Sequence, residues 1–374
     1  MGLLHRLRQR LRLGMGSPPL LGPAPPHDPI VPNDQAADIG IGGGKAAPAP
    51  RQCDGGGHEA PVGGGRRRLA QGLATSGSDS LTRLDTFRFD YSPITERPTI
   101  SWPNGARVAF YVGLNIEHYQ IDKPSTSIFG GTAMLQPDPL NYGWRDYGPR
   151  VGLWRMIESL DRHGVPASVL LNSDVCRHYP QILEAGRQRG WAWLAHGRDN
   201  STFQAGMGAD TERAYLQDVT DTIASATGVR PRGWLGPALT ETFETPRILR
   251  ELGYDYVLDW TNDDQPYPLN VDGMFSVPYT IELNDVTMFV SKSYTGPQFL
   301  EAVIDQFDQL YSDSEHSGRV MSLPLHPFIV GQPFRHRYLD RALEHITSHD
   351  GVWVTTSDAI AAHYQSTGNR RADS

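Results

Sequence analysis

From about Arg107 onward the chain repeats one unit: a short, continuous apolar run, then a stretch whose apolar residues recur at helical spacing. Val108–Leu114 is such a run. Without polar alternation it leaves neither face for water, the mark of a strand buried on both sides. Residues 149–163 carry Val151, Trp154, Met156, Ile157 and Leu160 on a helical period, and Gly164 stands where a left-handed cap forms most easily. Trp154 is expected to pack in the core. The same alternation predicts strands at 167–171, 191–195, 233–236, 254–260, 319–325 and 352–355. It predicts helices at 175–189, 211–226, 246–252, 297–311, 338–347 and 357–364. Strand and helix in strict succession imply an α/β fold with a parallel sheet and helices outside it. About seven or eight such units fit a (β/α) barrel better than an open sheet. No Gly-x-Gly-x-x-Gly follows the first strand and no Walker-type loop occurs, which disfavours nucleotide-binding alternatives.

The first eighty residues are of another kind. They contain none of the chain's Trp, Tyr or Phe, and they carry Gly42–Gly44, Gly55–Gly57 and Gly63–Gly65 among many prolines. Such a composition cannot bury enough surface to offset the entropy of ordering, so 1–80 is expected to be a disordered, low-complexity segment. Pro18, Pro19, Pro23, Pro25 and Pro26 forbid a secretory signal after the basic start. A mis-assigned start or an organelle-targeting segment remain the two readings of it. Residues 81–374 are then the functional domain. Two cysteines, Cys53 and Cys176, exclude a disulfide framework and a multi-thiolate zinc site, and cytoplasm is the expected compartment. The domain is acidic and would repel phosphate backbones, so nucleic acid is not an expected partner. No apolar run reaches the ~20 residues of a membrane span.

In such barrels the chemistry lies past the carboxyl ends of strands. The first strand runs into Asn115-Ile116-Glu117-His118-Tyr119, the third into His196-Gly197-Arg198-Asp199-Asn200, and a late one into His326-Pro327. Three strand ends bearing Glu, His and His point to a shared site. Glu117 is the best candidate base and His326 the best candidate acid. His196 is suited to binding a metal or an oxyanion, and Asn115 and Asn200 to orienting substrate. Asp199 is a second candidate base, although an Asp beside Arg198 in a loop suits a local turn as well. Asn262 and Asp263 follow a strand, and with Trp144, Arg145 and Glu241 they are the candidate substrate contacts. A solvated Arg, an Asx turn or a helix cap would explain several of these equally. Cys176 reads as plain packing.

Over roughly residues 97–365 these motifs resemble the NodB-homology polysaccharide deacetylases, carbohydrate esterase family four. The segments Tyr142–Arg150, Gly233–Leu235 and Asp259–Tyr267 are similar to an intracellular branch that includes allantoinases and a bacterial peptidoglycan deacetylase. The resemblance implies a distorted (β/α) barrel of the glycoside hydrolase/deacetylase type. It implies that Asn115 stands where the family has its base Asp, that Glu117 stands at the metal-ligand Asp, and that His196 and Asn200 stand at the two metal histidines. Leu235 stands where the third motif has Arg. Glu117, His196 and Asn200 are thus a poor triad for a divalent metal such as zinc, which is expected to bind weakly or to be dispensable. The implied activity is hydrolysis of a non-peptide carbon–nitrogen bond, the deacetylation of an N-acetyl sugar or related small amide. An allantoinase-like cyclic-amide hydrolase and an inactive carbohydrate-binding member are the alternatives. The expected partner is a carbohydrate or other small molecule, with a homo-oligomer left open.

Overall fold

The computed structural model describes residues 88–367; the expectations for 1–80 lie outside them. The first strand, β1 (Val108–Ile116), is buried at every position. A linking segment leads to α1 (Pro139–Tyr147), a π turn at Gly148–Gly152 and α2 (Leu153–Arg162). Then come β2 (Ala167–Leu171), α3 (Ser173–His178), α4 (Pro180–Gln188), β3 (Ala192–Ala195), α5 (Ala209–Thr227), β4 (Gly233–Trp234), α6 (Thr245–Glu251) and β5 (Tyr256–Val257). The last third contains β6 (Tyr267–Pro268), β7 (Phe275–Ser276), α7 (Gly296–Asp313), β8 (Arg319–Leu325), α8 (Pro333–Thr347), β9 (Val352–Val354) and α9 (Ser357–Ser366).

The strands form one curled sheet in the order β6-β7-β5-β4-β3-β2-β1-β8, parallel throughout except for β6 with β7. β1 is its axis. It pairs with β8 from Val108 to Leu114, with β2 from Val112 to Ile116, and with β9 from Val108 to Phe110. The sheet is a half-barrel: β8 forms no ladder with β6 or β7. Single bonds bridge the seam instead, from Val320 N–H to the Asp264 carbonyl (2.8 Å) and from Gln265 Nε2 to the Gly318 carbonyl (2.9 Å). That seam is the distortion of the barrel.

Several elements differ from the sequence reading. The helix expected at 149–163 begins earlier and is interrupted by the π turn. Gly148 and Gly152 pass against the turn that follows β8; a Cβ at Gly152 would lie 2.0 Å from the Pro327 carbonyl oxygen. Trp154 is 38% exposed rather than core, with its indole N–H bonded to the Pro149 carbonyl. The helix expected at 175–189 splits at Tyr179, whose extended φ of −133° is what a residue before proline prefers. Strands 233–236 and 254–260 shorten to two paired residues each; the chain leaves β4 through a turn with Ala238 and Leu239 at positive φ. Cys176 is half-buried and burial pushes its thiol up to about 11, so it is unreactive packing. No helix among the described residues is long and apolar enough to cross a membrane.

Candidate active site

Three strand ends meet at one carboxylate. Glu117, the first residue past β1, is buried with its Oε1 3.3 Å from His196 Nε2 past β3 and 3.6 Å from His326 Nε2 past β8. Its Oε1 also accepts from Asn200 Nδ2, and its Oε2 accepts from the Tyr119 hydroxyl. Burial opposes the charge on Glu117. The field of His326 and the hydrogen bonds from both imidazoles outweigh it and hold the carboxyl well below the usual carboxylate range.

His326 is clamped from its other side by Asp285. The Asp285 Oδ1 lies 2.6 Å from Nδ1, and Oδ2 accepts the His326 backbone N–H at 2.8 Å. Burial works against a charged ring, but Glu117 and Asp285 push the imidazole up to about 10. A carboxyl group on each side thus favours the charged form of the ring. Burial pushes Asp285 up, with His326 opposing. Phe328 packs edge-on to the His326 ring, and Trp144 packs edge-on to Phe328. Trp144 thus supports the wall behind the acid.

His196 gives its Nδ1 proton to the Leu235 carbonyl at 2.7 Å, so Nε2 is the nitrogen that faces Glu117. The same peptide plane continues outward: the Gly236 N–H donates to Asp259 Oδ1 at 2.6 Å. Asp259 and Glu241 lie behind the site as a buried acid pair. Burial pushes Glu241 up to about 7, and burial and Glu241 push Asp259 well above its ordinary value. Glu241 is 3.8 Å from Arg88.

The orientation of Asn200 follows from backbone groups. Asn172 Oδ1 accepts the His118 backbone N–H (2.9 Å), which turns its Nδ2 toward the His196 carbonyl and the Asn200 Oδ1 (3.1 Å). With its oxygen so engaged, Asn200 presents an NH₂ group to Glu117. An amide NH₂ cannot ligate a cation, so the metal set read from the sequence, Glu117, His196 and Asn200, is reduced to two donors. The residues present do not fit a three-ligand divalent metal.

The other expected residues are distributed unevenly. Asn115 is 2% exposed and spends its amide on the Leu325 carbonyl (3.2 Å), the Gly113 carbonyl (3.3 Å) and the Tyr279 hydroxyl (3.3 Å). It braces β1 against β8 beneath the pair. Arg145 is buried over the Tyr119 ring at 4.8 Å and donates to the Thr126 carbonyl, so it reaches Glu117 only through Tyr119. Asp199 is a local turn: Gln120, Ser201, Thr202 and Arg198 all donate to it. Asp263 is paired with Arg97 at 2.6–2.7 Å, and Asn262 accepts from Tyr267. Both line a separate cavity of about 520 Å³ at the seam, away from Glu117. Sequence reasoning missed Asp285, Asn172 and the role of Tyr119. Asn172 immediately before a helix reads as an N-cap, and Asp285 lies 41 residues from its partner.

The description "Polysaccharide deacetylase" matches residues 144–257, a span that includes His196 and Asn200 but neither Glu117 nor His326. A putative polysaccharide deacetylase of Schizosaccharomyces pombe is 29% identical over 301 residues, covering 72% of this chain and 92% of that protein. A peptidoglycan deacetylase of Helicobacter pylori is 25% identical over 262 residues, covering 59% of this chain and 86% of its own. The solved structure of Puue allantoinase superposes with a TM-score of 0.66 at 27% identity, covering 75% of this chain and 99% of that one.

Proposed function

We propose that this chain, similar to polysaccharide deacetylases over residues 144–257 and to curated deacetylases over most of their length, is a hydrolase of non-peptide carbon–nitrogen bonds that removes the acetyl group from an N-acetyl sugar or related small amide, with Glu117 and His326 as its proton-transfer pair. The observation that carries the pair is the meeting of Glu117 with His196 at 3.3 Å and His326 at 3.6 Å, each from a different strand end.

Before substrate enters, the two charges hold each other. A carbonyl group and a water that separate them weaken that hold. Glu117 becomes more basic and His326 a stronger acid, which brings both toward proton transfer. Glu117 takes a proton from the attacking water as its oxygen bonds to the carbonyl carbon. His326 gives its proton to the nitrogen as the carbon–nitrogen bond breaks, leaving a carboxylic acid and an amine. His196, when it carries both ring protons, is the donor to the developing oxyanion. Tyr119 and Asn200 orient the Glu117 carboxylate. Family members typically use a metal. Here the donor set supplies two ligands, and no step above passes through an ion.

A second reading, hydrolysis of a cyclic amide, is favoured by the likeness to Puue allantoinase along nearly all of that protein. The test is a screen of the purified chain on N-acetyl sugars, acetyl esters and cyclic ureides. Acetate released from an N-acetyl sugar supports the first reading, and ring opening of a ureide the second. Saccharide binding without turnover on any of the three overturns both and identifies an inactive carbohydrate-binding protein.

A further inference from the structure

A second constellation of metal-binding side chains lies at the opposite end of the barrel. Asp308 on α7 and His345 on α8 join His349, just past α8, with one ligand atom from each within 4.8 Å of the others. The His345 Nε2 is 2.8 Å from Asp308 Oδ1. The His349 Nδ1 is 2.7 Å from the His345 backbone carbonyl, to which it can only donate, so Nε2 is the ring nitrogen left for a metal. A backbone carbonyl holding one ring nitrogen is the usual device that aims the other at a metal. Both rings are held by Phe307, at centroid distances of 5.6 Å and 4.9 Å, and they stack edge to face on each other at 4.7 Å.

The cluster cannot belong to the hydrolytic site. The turn after His349 bonds to the start of β1, with the Arg107 N–H donating to the Gly351 carbonyl. Glu117 lies past the other end of that strand, about 30 Å away at the ordinary rise of a strand. We propose that Asp308, His345 and His349 form a zinc site that ties α7 to α8, distinct from the catalytic centre. Two imidazoles and one carboxylate are a borderline set that suits Zn²⁺ and would also take Ni²⁺ or Cu²⁺, with water completing the coordination. On binding, the ion displaces the proton that His345 Nε2 now shares with Asp308; the proton passes to Nδ1 of the same ring, or to solvent from a ring that carries both. A metal found in the purified protein would then report on this site and not on Glu117.

The test uses the full chain, with Zn²⁺ itself as probe in calorimetric titration and thermal unfolding, and Co²⁺ as a spectroscopic stand-in. One equivalent is expected to bind and to raise Tm. His345→Ala and His349→Ala should each weaken binding by at least ~10–100-fold, the range seen when even an outer-shell partner is removed. Asp308→Asn should weaken it less, and hydrolysis by all three should be unchanged. His345→Asn guards against a packing defect, because it keeps a polar side chain of similar reach. Glu117→Gln and His196→Ala should bind zinc as the parent does. The proposal is overturned if the parent binds no zinc. It is equally overturned if binding survives both histidine substitutions, or if it is lost in Glu117→Gln or His196→Ala.

Discussion

Replacing Glu117 by Gln removes the one charge that three strand ends share. The Glu117 Oε1 meets Asn200 and both imidazoles, while Oε2 meets Tyr119. A glutamine has one acceptor oxygen, so its NH₂ must face either the Tyr119 hydroxyl or the Asn200 amide. Removing one partner of a buried pair typically costs ~3–5 kcal/mol, because the other charge stays behind unpaired. The pH dependence separates this from a packing defect. His326 is raised from 6.5 to about 10, so its contribution is complete below about pH 6.5 and is lost as the pH rises through about 10. Glu117 is lowered from 4.5, so its contribution is present above about pH 4.5 and lost only as the pH falls through its depressed value. The parent protein should therefore be most stable between those two ordinary values and lose stability toward alkaline pH. Urea unfolding at a series of pH values measures this. The gap between parent and Glu117→Gln should be widest near about pH 6 and should close toward pH ~10. Turnover on a substrate found in the screen should fall by ~10²–10⁴. A gap below ~1 kcal/mol near pH 6, or one that widens with rising pH, would refute the ion-pair reasoning. Parent-like turnover would refute the catalytic one.

Asp285→Asn should cost ~10²–10⁴ in rate by loosening the His326 clamp, and NMR titration should find the His326 pKa well below about 10. Asn115→Asp should destabilise the protein by ~1–3 kcal/mol at neutral pH, since a carboxylate would face the Leu325 and Gly113 carbonyls; the loss should shrink as the pH falls and the acid is protonated, which pH-dependent unfolding would read. Gly152→Ala places a Cβ against the Pro327 carbonyl and should lower stability by ~1–3 kcal/mol and disturb the adjoining His326; unchanged Tm and turnover would show that the turn after β8 is freer than its packing indicates.

The legible parts of this protein are those whose signal is local. β1, β3 and β8 are apolar runs that need no partner to be recognised, and Glu117, His196 and His326 follow them directly. β6 and β7 escaped because two residues each carry no periodicity, and they pair only because the sheet edge brings them together. Asp285 and Asn172 escaped for a similar reason. Their roles come from tertiary approach, and no spacing links them to His326 or Asn200. Asn200 is the instructive case. Its position four residues after His196 identifies it as the counterpart of a ligand. Which of its atoms faces Glu117 is decided by Asn172, which the Asn200 motif does not contain. Asn262 and Asp263 follow a strand as expected, yet the chain carries them down the open seam to Arg97 rather than across to Glu117.

β1, paired along both edges and buried at all nine positions, also sets the tempo of the site. A strand so placed exchanges its amide hydrogens only when the whole domain opens. Glu117 is therefore anchored to a part of the molecule that opens last. The segment between β1 and α1 is its opposite, with Ile121, Phe129, Met134 and Leu135 exposed. Hydrogen exchange should find Val112–Ile116 among the slowest amides in the chain and residues 121–135 among the fastest. A ligand that stiffens the protein should leave the first group unchanged and slow the second.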